Sequence, residues 1–502
     1  MSELVHQLLE RNARKYPFEV AVRWPGGDSQ MTWAELNRHA NALSSYLQEK
    51  GVARGDKAAL FISNRPEFLM AFFGILKTGA AAVPVNVKLT PDEISHILTD
   101  SGANSLVFED GLRAAAEEAV NLCPGVRVAL STKELPSLTA RYSAGDPEVK
   151  IDTGDLAEIL YTSGTTGKPK GVLLNHNSIY LVGSMMAYKA DIRHRDRCLH
   201  LMPLSHSAPL NLFLVGSTYA GATSVLGNFT PQALLELCHQ EKVTHFFGAP
   251  VAYLLANRIP NISSYDLSAA KVWIYGGAPM SRDAVTAVMK NFPGKFMGVY
   301  GLTEAGPNGM ALFPDEHPQY AGSIGCRGTV NSEIRVANEA GEDIAPGEVG
   351  EILIKSPTVM MGYHNLPEAT AETLRNGWIH TGDLAEKDEE GYLWIKDRKK
   401  DLIITGGVNV YSKEVEDVIA LCPGVADVAV VGVPHPEWGE TVMALVVAAD
   451  PGNPVKQEDL YKFCRTKLAD YKIPRIIKFA GAIPRNSSGK VQKHLIKAGY
   501  RD

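Results

Sequence analysis

The sequence predicts an α/β protein with a large N-terminal domain of parallel α/β sheets, a β-rich subdomain and a small α+β C-terminal domain. Helical and strand patterns alternate as far as about residue 330, which is typical of parallel sheets covered by helices. The pattern becomes strand-rich from Ser332 onward. A charged run at 396–401 then precedes about one hundred residues of α+β pattern, enough to fold independently.

The alternation is clearest near the N-terminus, where apolar residues recur at helical spacing or in short runs. Thr32 is suited to begin the helix that follows it. The unpatterned residues 133–150 predict a surface loop. The helices predicted in this part are 1–16, 32–49, 66–78 and 90–101, and the predicted strands are 57–62 and 81–85.

The C-terminal pattern predicts a separate domain whose boundary falls at the charged run. We therefore divide the chain into domains 1–398 and 399–502. The elements predicted after the boundary are strands at 402–405, 425–433 and 442–448, and helices at 412–421 and 456–468.

Composition excludes several classes of function. The 502 residues carry a formal net charge of −6, so no broad basic field favours nucleic acid or an anionic membrane. Six scattered cysteines indicate reduced thiols. No apolar run is long enough to cross a membrane or to form a signal peptide, so we expect a soluble, cytoplasmic protein. A homodimer is compatible with these expectations.

The stretch from Ile159 to Gly171 predicts a phosphate-binding loop. A short apolar strand leads into hydroxyl residues, glycines and lysines, which supply inward-facing N–H groups, small donors and positive charge. Its spacing differs from that of a Walker A loop. A plain exposed turn is the alternative. The candidate phosphate-binding residues are Thr162, Ser163, Gly164, Thr165, Thr166, Gly167, Lys168 and Lys170.

Two further strands end in loops of similar character. Residues 271–275 lead into Gly276-Gly277-Ala278-Pro279, and residues 296–300 lead into Gly301-Leu302-Thr303-Glu304. Ligands of open α/β sheets gather at the carboxyl ends of strands, so the three loops predict one shared crevice.

These motifs, with five others in order, resemble those of the adenylate-forming superfamily in its acyl-CoA synthetase and fatty-acid–CoA ligase branch. The resemblance covers nearly the whole chain. The other motifs are Pro203-Leu204-Ser205-His206, Trp378 to Asp383, the 397–401 run with Gly406 to Tyr411, and Pro484 to Lys490.

The resemblance implies a two-step ligase that uses ATP, Mg²⁺ and coenzyme A. A carboxylate attacks the α-phosphate of ATP to give an acyl-adenylate and pyrophosphate, and a thiol then accepts the acyl group. Lys490 is implied as the adenylation lysine. Glu304 and Thr162 are the implied magnesium ligands, because Mg²⁺ prefers oxygen donors.

The nucleotide site follows from the same resemblance. Asp383 would bind the ribose hydroxyls with support from Arg398. His206, between the acyl and phosphate sites, would orient the acid or shape the pocket, without acting as a base, because carboxylates are already ionised. The residues that would enclose the adenine or complete the site are Gly276, Gly277, Ala278, Tyr300, Gly301 and Thr303.

In the second step, relatives rotate a mobile small domain about a residue that corresponds to Lys400. The rotation would replace Lys490 by Gly406 and Gly407, which can line a narrow thiol tunnel. Trp438 matches a position that packs on coenzyme A in some relatives. Tyr471, Lys472 and Arg475 lie where those relatives hold its nucleotide end, although Ile473 departs from their pattern.

The acid substrate is a small-molecule carboxylic acid, and the sequence predicts its class only by analogy. Small or apolar residues favour a medium- or long-chain fatty acid, with an aromatic acid of the benzoate or coumarate type as the second interpretation. An adenylation module that loads a carrier protein and a non-catalytic homologue are two further alternatives. The predicted pocket residues are Ser207, Ala208, Leu210, Gly248, Ala249, Gly301, Ala305 and Gly306.

Overall fold

A computed structural model describes residues 4–142, 145–162, 169–450, 452–485 and 491–501. The chain forms two compact units. The first unit contains residues 1–334 and 353–380, and the second contains residues 335–352 and 381–502. This division differs from the predicted domains 1–398 and 399–502, which stay a prediction.

Helices occur along the whole chain. They are α1 (Val5–Lys15), α2 (Trp33–Glu49), α3 (Pro66–Lys77), α4 (Pro91–Ser101), α5 (Arg113–Asn121), α6 (Leu135–Leu138), α7 (His176–Lys189), α8 (Val215–Ala220), α9 (Pro231–Glu241), α10 (Pro250–Ala256), α11 (Arg282–Met289), α12 (His317–Tyr320), α13 (Pro367–Thr373), α14 (Ser412–Ala420), α15 (Gln457–Arg465) and α16 (Lys493–Arg501).

The strands form four sheets. They are β1 (Val20–Trp24), β2 (Ser29–Thr32), β3 (Lys57–Phe61), β4 (Ala81–Pro84), β5 (Ser105–Phe108), β6 (Val128–Ser131), β7 (Leu156–Thr162), β8 (Lys170–Asn175), β9 (Arg197–His200), β10 (Thr223–Leu226), β11 (His245–Gly248), β12 (Val272–Gly276), β13 (Lys295–Gly301), β14 (Gly309–Leu312), β15 (Glu333–Ala337), β16 (Val349–Lys355), β17 (Gly362–Tyr363), β18 (Leu374–Arg375), β19 (Trp378–Lys387), β20 (Leu393–Arg398), β21 (Ile403–Thr405), β22 (Val408–Val410), β23 (Val425–His435), β24 (Gly439–Ala448) and β25 (Ile476–Phe479).

Two largely parallel sheets form the framework of the first unit. One has the order β14–β13–β12–β11–β9–β10–β1–β2, and the other has the order β17–β8–β7–β4–β3–β5–β6. In both sheets the inner strands run parallel, and the antiparallel pairs β13–β14, β1–β2, β7–β8 and β8–β17 lie toward the edges. The predicted α/β fold class is confirmed.

Local sequence explains where the early helices begin. The side chain of Thr32 accepts a hydrogen bond from the backbone N–H of Glu35. The Glu35 carboxylate in turn accepts a hydrogen bond from the backbone N–H of Thr32. Thr90 and Glu93 make the same reciprocal arrangement before α4, which begins with a proline. Such capping boxes satisfy N–H groups that have no partner within the helix. The predicted helices and strands of this region are confirmed within a few residues.

The prediction of a plain surface loop at 133–150 is wrong at its beginning. Ser131 accepts a hydrogen bond from the N–H of Lys133, and its own N–H donates to Glu134, which starts a short helical segment that continues into α6. Leu135 and Leu138 of α6 are buried. A helix of one turn is too short to show a helical period in the sequence.

A buried lysine ties the N-terminal helices of the first unit together. Lys77 on α3 has a side chain with 0% exposure, and its Nζ lies 2.7 Å from Glu10 on α1 and 3.0 Å from Asp146. Asn37 and Asn41 on α2 also donate hydrogen bonds to Asp146. Burial alone would raise the pKa of Asp146, but the Asn37 hydrogen bond and the Lys77 charge hold it below its usual value.

A further sheet has the order β15–β16–β19–β18, and β20 pairs with β19. The second unit contains the sheet β22–β21–β24–β23, to which β25 adds in parallel beside β24. Alternate residues of β23 face two cores. Val428 and Val430 pack with α14 and α15 residues, whereas Ala429, Val431 and Val433 pack with Ile483 and Ile496. This alternation follows the two-residue period of a strand buried on both faces.

Two expectations drawn from composition are consistent with the structure. Within the described ranges, no helix is long and apolar enough to cross a bilayer. All six cysteines lie in these ranges and none forms a disulfide.

Candidate active site

The predicted phosphate loop joins two antiparallel strands. Strands β7 and β8 pair in register from Ile159↔Leu173 to Thr162↔Lys170, so the loop leaves and returns at one rung of a hairpin. The Walker A loop instead joins a strand to a helix. Residues Ser163, Gly164, Thr165, Thr166, Gly167 and Lys168 lie outside the described residues, and their assignment to phosphate stays a prediction.

The other two predicted loops follow neighbouring parallel strands. Gly276 at the end of β12 pairs with Val299 of β13. Because the two strands are parallel, the 276–279 and 301–304 loops both leave the sheet at the carboxyl ends of its strands. A Cβ on Gly276 would lie 2.6 Å from the Val299 carbonyl oxygen, and Gly277 has φ +81°. The adjacent strand and the backbone conformation therefore account for these glycines before any adenine is bound. Ala278 is exposed beside them.

The turn after β13 brings several predicted residues together. Thr303 Oγ1 lies 2.8 Å from Ser207 Oγ, which follows His206 in the chain. Glu304 Oε1 accepts a hydrogen bond of 2.8 Å from the phenol of Tyr363. Lys170 Nζ lies 5.0 Å from the centre of the same Tyr363 ring. Thus Tyr363 connects the lysine at the end of the phosphate hairpin with the predicted metal ligand.

His206 lies before an unusual helix. Its Nε2 is 3.4 Å from Asn86 Nδ2, and a π-helix at Ala208–Leu214 follows within two residues. π-Helical turns occur frequently at functional sites. The predicted acyl-pocket residues Ala208 and Leu210 lie on this π-helix, and Gly248 ends β11.

A buried carboxyl group supports the π-helix. Asn211 Nδ2 donates a hydrogen bond of 2.6 Å to Oε2 of Glu158, on β7. Burial raises the pKa of Glu158 to about 8, which the Asn211 hydrogen bond only partly opposes. The carboxyl group is therefore largely protonated at neutral pH. Sequence inspection missed Glu158, because a single acidic residue in a strand looks like a surface residue.

We expect Glu158→Gln to stabilise the protein increasingly as pH rises. Below pH 4.5 the native and unfolded states both hold the Glu158 proton. Between pH 4.5 and about 8 only the native state holds it, so its contribution to stability falls with rising pH. Glutamine does not titrate in this way. The free energy of unfolding of Glu158→Gln, relative to that of the parent protein, should therefore rise by roughly 2 kcal/mol between about pH 6 and pH 7.5. Thermal unfolding of both proteins across that range measures the difference.

Glu109→Gln is the matched control. Burial alone would raise the pKa of Glu109, but hydrogen bonds from Ser63 and the charge of Arg65 hold it below its usual value. This carboxylate is thus ionised in both states from pH 6 to 8, and its replacement should cost the same stability throughout. A flat difference for Glu158→Gln would contradict the buried proton.

In the second unit, the predicted ribose-binding residues lie opposite each other on a hairpin. Asp383 on β19 pairs with Arg398 on β20, and Arg398 Nε lies 3.2 Å from Asp383 Oδ1. The backbone of β19 just before Asp383 is held by Gly382, whose N–H donates to Glu351 at 3.0 Å and whose φ is +69°. Asp383 and Arg398 therefore lie together, and their binding of a ribose stays a prediction.

Asp397, next to Arg398, caps a helix. Its buried carboxylate accepts hydrogen bonds from the Ser412 hydroxyl at 2.7 Å, from the Ser412 N–H and from the Lys413 N–H at 3.4 Å. These groups begin α14, so Asp397 supplies the helix N-terminus with the negative charge it favours. The predicted hinge residue Lys400 lies between the carboxylate and the helix in the chain.

The predicted coenzyme A residues are arranged around Trp438. The residue is 40% exposed, its ring stacks on His435 with the ring centres 4.3 Å apart, and Arg475 Cζ lies 5.8 Å from the ring centre. The Gly406 N–H donates to the Trp438 carbonyl oxygen at 2.9 Å. Gly406 and Gly407 have φ of +57° and +80°, and a Cβ on either would meet no atom within 4 Å. Conformation rather than space requires glycine there.

Two other residues predicted to bind coenzyme A form ion pairs within the second unit. Lys472 binds Glu414 at 2.7 Å, and Arg475 also binds Asp470 at 2.6 Å. Lys490 lies outside the described residues, so its role stays a prediction. The residues on either side of its loop, Arg485 and Val491, form an antiparallel bridge.

The residues present fit a magnesium ion that is held partly by protein oxygens and partly by the phosphates of a nucleotide. No cluster of three metal-ligating side chains exists among the described residues. Mg²⁺ is commonly held by one or two protein oxygens together with substrate phosphates. Glu304 is partly exposed and Thr162 ends the strand beside the phosphate loop, which suits that mode of binding.

The sequence model of the family described as AMP-binding enzyme matches residues 9–364, and that of its C-terminal domain matches residues 414–490. The chain belongs to this family, and the resemblance to adenylate-forming enzymes is confirmed.

Several named proteins are similar over their full length. The long-chain-fatty-acid–CoA ligase FadD13 of Mycobacterium tuberculosis (strain H37Rv) is 37% identical over 505 residues, 98% of each chain. A feruloyl-CoA synthase from Amycolatopsis sp is 37% identical over 493 residues, again 98% of each chain. The crystal structure of ATP-bound MatB from Rhodopseudomonas palustris has a TM-score of 0.91 at 28% identity, covering 100% of this chain and 99% of that one.

Proposed function

We propose that this protein is an AMP-forming acyl-CoA synthetase. It activates a carboxylic acid with ATP, releases pyrophosphate and transfers the acyl group to coenzyme A. The proposal depends mainly on one observation: Lys170 and Glu304 both contact Tyr363, the lysine at the face of the ring and the carboxylate at the phenol. It brings a cation for the leaving pyrophosphate beside a carboxylate for a metal ion, within a chain that belongs to the AMP-binding enzyme family.

Different residues of the chain bind different parts of the substrates in the first step. Lys170 and the loop before it grip the phosphates that leave, while Asp383 and Arg398 hold the ribose. A bound Mg²⁺ supplies charge that offsets the negative charge of the phosphates. Lys490 neutralises the repulsion between the attacking carboxylate and the α-phosphate.

The second step uses residues of the second unit. Rotation of residues 399–502 about Lys400 withdraws Lys490 and presents Gly406 and Gly407. The exposed ring of Trp438 supports free coenzyme A as the acceptor, because a flat nucleotide base can pack on it. Loading of a carrier protein is the alternative.

The acid is a medium- or long-chain fatty acid in our first proposal. The small pocket residues and the name of the mycobacterial relative support this class. An aromatic acid is the second candidate, because the feruloyl-CoA synthase is equally similar. We also propose a cytoplasmic location, supported by six unpaired cysteines.

The test is acid-dependent ATP–pyrophosphate exchange with fatty acids of increasing length and with benzoate-type and coumarate-type acids. The first proposal expects the highest kcat/KM with a fatty acid. Addition of coenzyme A should then release AMP and form the thioester. Exchange without transfer to coenzyme A would favour a carrier protein as acceptor, and no exchange with any acid would refute the proposed activity.

A further inference from the structure

A short segment, residues 358–364, joins the Glu304 turn to the phosphate hairpin in the first unit. At its first end, the Met360 N–H donates to the Glu304 carbonyl oxygen at 2.8 Å, and Thr358 Oγ1 donates to the Ala305 carbonyl oxygen at 2.7 Å. A Cβ on Gly306 would lie 2.1 Å from the Thr358 carbonyl oxygen, so the turn fits the segment only with glycine there.

The other end of the segment belongs to the hairpin sheet. Gly362 and Tyr363 form β17 and pair with Leu173 and Val172 of β8. The His364 N–H donates to the Gly171 carbonyl oxygen at 2.7 Å, next to Lys170. The backbone of residues 358–364 thereby sets the distance between the strand that leaves the phosphate loop and the turn that carries Glu304.

The side chain of Tyr363 spans this distance. The residue is 9% exposed and its phenol donates to Glu304 Oε1 at 2.8 Å. An ordinary tyrosine phenol holds its proton at neutral pH, so Tyr363 is the donor in this bond and the carboxylate is the acceptor. Because the bond engages Oε1, it restrains rotation of the carboxylate, and Oε2 can still bind a ligand.

Resting on the proposed function, we propose that Tyr363 is a positioning residue for the metal-binding carboxylate of Glu304. Its phenol orients the carboxylate for a divalent cation, and its ring provides a surface for Lys170. The hydroxyl and the ring act separately, because the contact with Lys170 involves only the face of the ring. The hydroxyl alone therefore links Tyr363 to the metal.

Tyr363→Phe tests this assignment, because phenylalanine keeps the strand pairing, the burial and the ring beneath Lys170. We expect the affinity for Mn²⁺ in the presence of ATP, measured by electron paramagnetic resonance without any acid, to fall about tenfold, since residues that orient metal ligands typically contribute ten- to a hundredfold. In exchange assays the Mg²⁺ concentration for half-maximal rate should rise more than kcat falls.

Tyr253→Phe is the matched control. Tyr253 is also buried, and its hydroxyl donates to the Ile274 carbonyl oxygen at 2.7 Å, within the hydrophobic core around Trp273. This variant should lose thermal stability but bind Mn²⁺ normally. Unchanged Mn²⁺ affinity in Tyr363→Phe, or an equal loss in both variants, would overturn the inference. The metal titration needs no acid, so failure of the proposed acid activation would appear separately, in the exchange assay.

Discussion

Lys490→Ala should lower the rate of acyl-adenylate formation by about a thousandfold. The first step brings a carboxylate toward a triphosphate, and one well-placed charge or donor in such a site typically contributes about a hundred- to a thousandfold in rate. Thioester formation from supplied acyl-adenylate should stay within about threefold of the parent, because Lys490 leaves the site before that step in the proposed rotation. Single-turnover assays of the two half-reactions measure both rates.

Lys497→Ala provides the control for charge and location. Lys497 lies on α16, seven positions further along the chain, and its loss changes the net charge of the small domain equally. Both half-reactions should be unaffected by it. Equal impairment of both half-reactions by Lys490→Ala would contradict the two-conformation proposal and indicate a residue needed throughout.

Lys77→Ala should destabilise the first unit by roughly 3 kcal/mol. The substitution removes the cation between Glu10 and Asp146 and leaves two carboxylates in a mostly buried cluster. Breaking a buried ion pair by removing one partner typically costs 3–5 kcal/mol. We expect the lower value, because the Asp146 side chain is 38% exposed and retains contact with water. Thermal and urea unfolding measure the loss.

Two further variants separate burial from charge. Arg113 also contacts two carboxylates, Asp110 and Glu117, but all three side chains are exposed, so Arg113→Ala should hardly change the unfolding midpoint. Lys77→Met with Glu10→Gln should recover part of the loss, because fewer unpaired charges remain buried. A loss for Lys77→Ala no larger than that for Arg113→Ala would show that the cluster contributes little.

Much of the fold was predictable because local patterns specify it. The capping residues Thr32 and Thr90 begin helices at the predicted positions, and the strand-end glycines mark the edge of a parallel sheet. The antiparallel pairing of β7 with β8 was not predictable. A strand of the same composition can lead into a helix or into a second strand, and only pairing with distant chain decides between them.

Contacts within the candidate site were predictable only where the residues lie close together in the chain. Asp383 and Arg398 come together because they lie on one hairpin. Tyr363, Glu158 and the π-helix depend on partners far away in sequence: Tyr363 contacts Glu304, and Glu158 contacts Asn211. A tyrosine after a glycine in a strand-rich region carries no sign of such a partner, so only the three-dimensional structure identifies it.

The cap that Asp397 places on α14 has a consequence for the domain rotation proposed above. If the small domain turns about Lys400, the carboxylate stays behind while Ser412 and Lys413 move, and the cap is given up. An N-cap is worth about 1 kcal/mol, which corresponds to roughly a fivefold bias in population toward the capped conformation. In the proposed reaction, the carboxylate of Asp397 would therefore favour the conformation in which α14 is capped, so that the timing of the rotation and the stability of the helix would depend on one side chain.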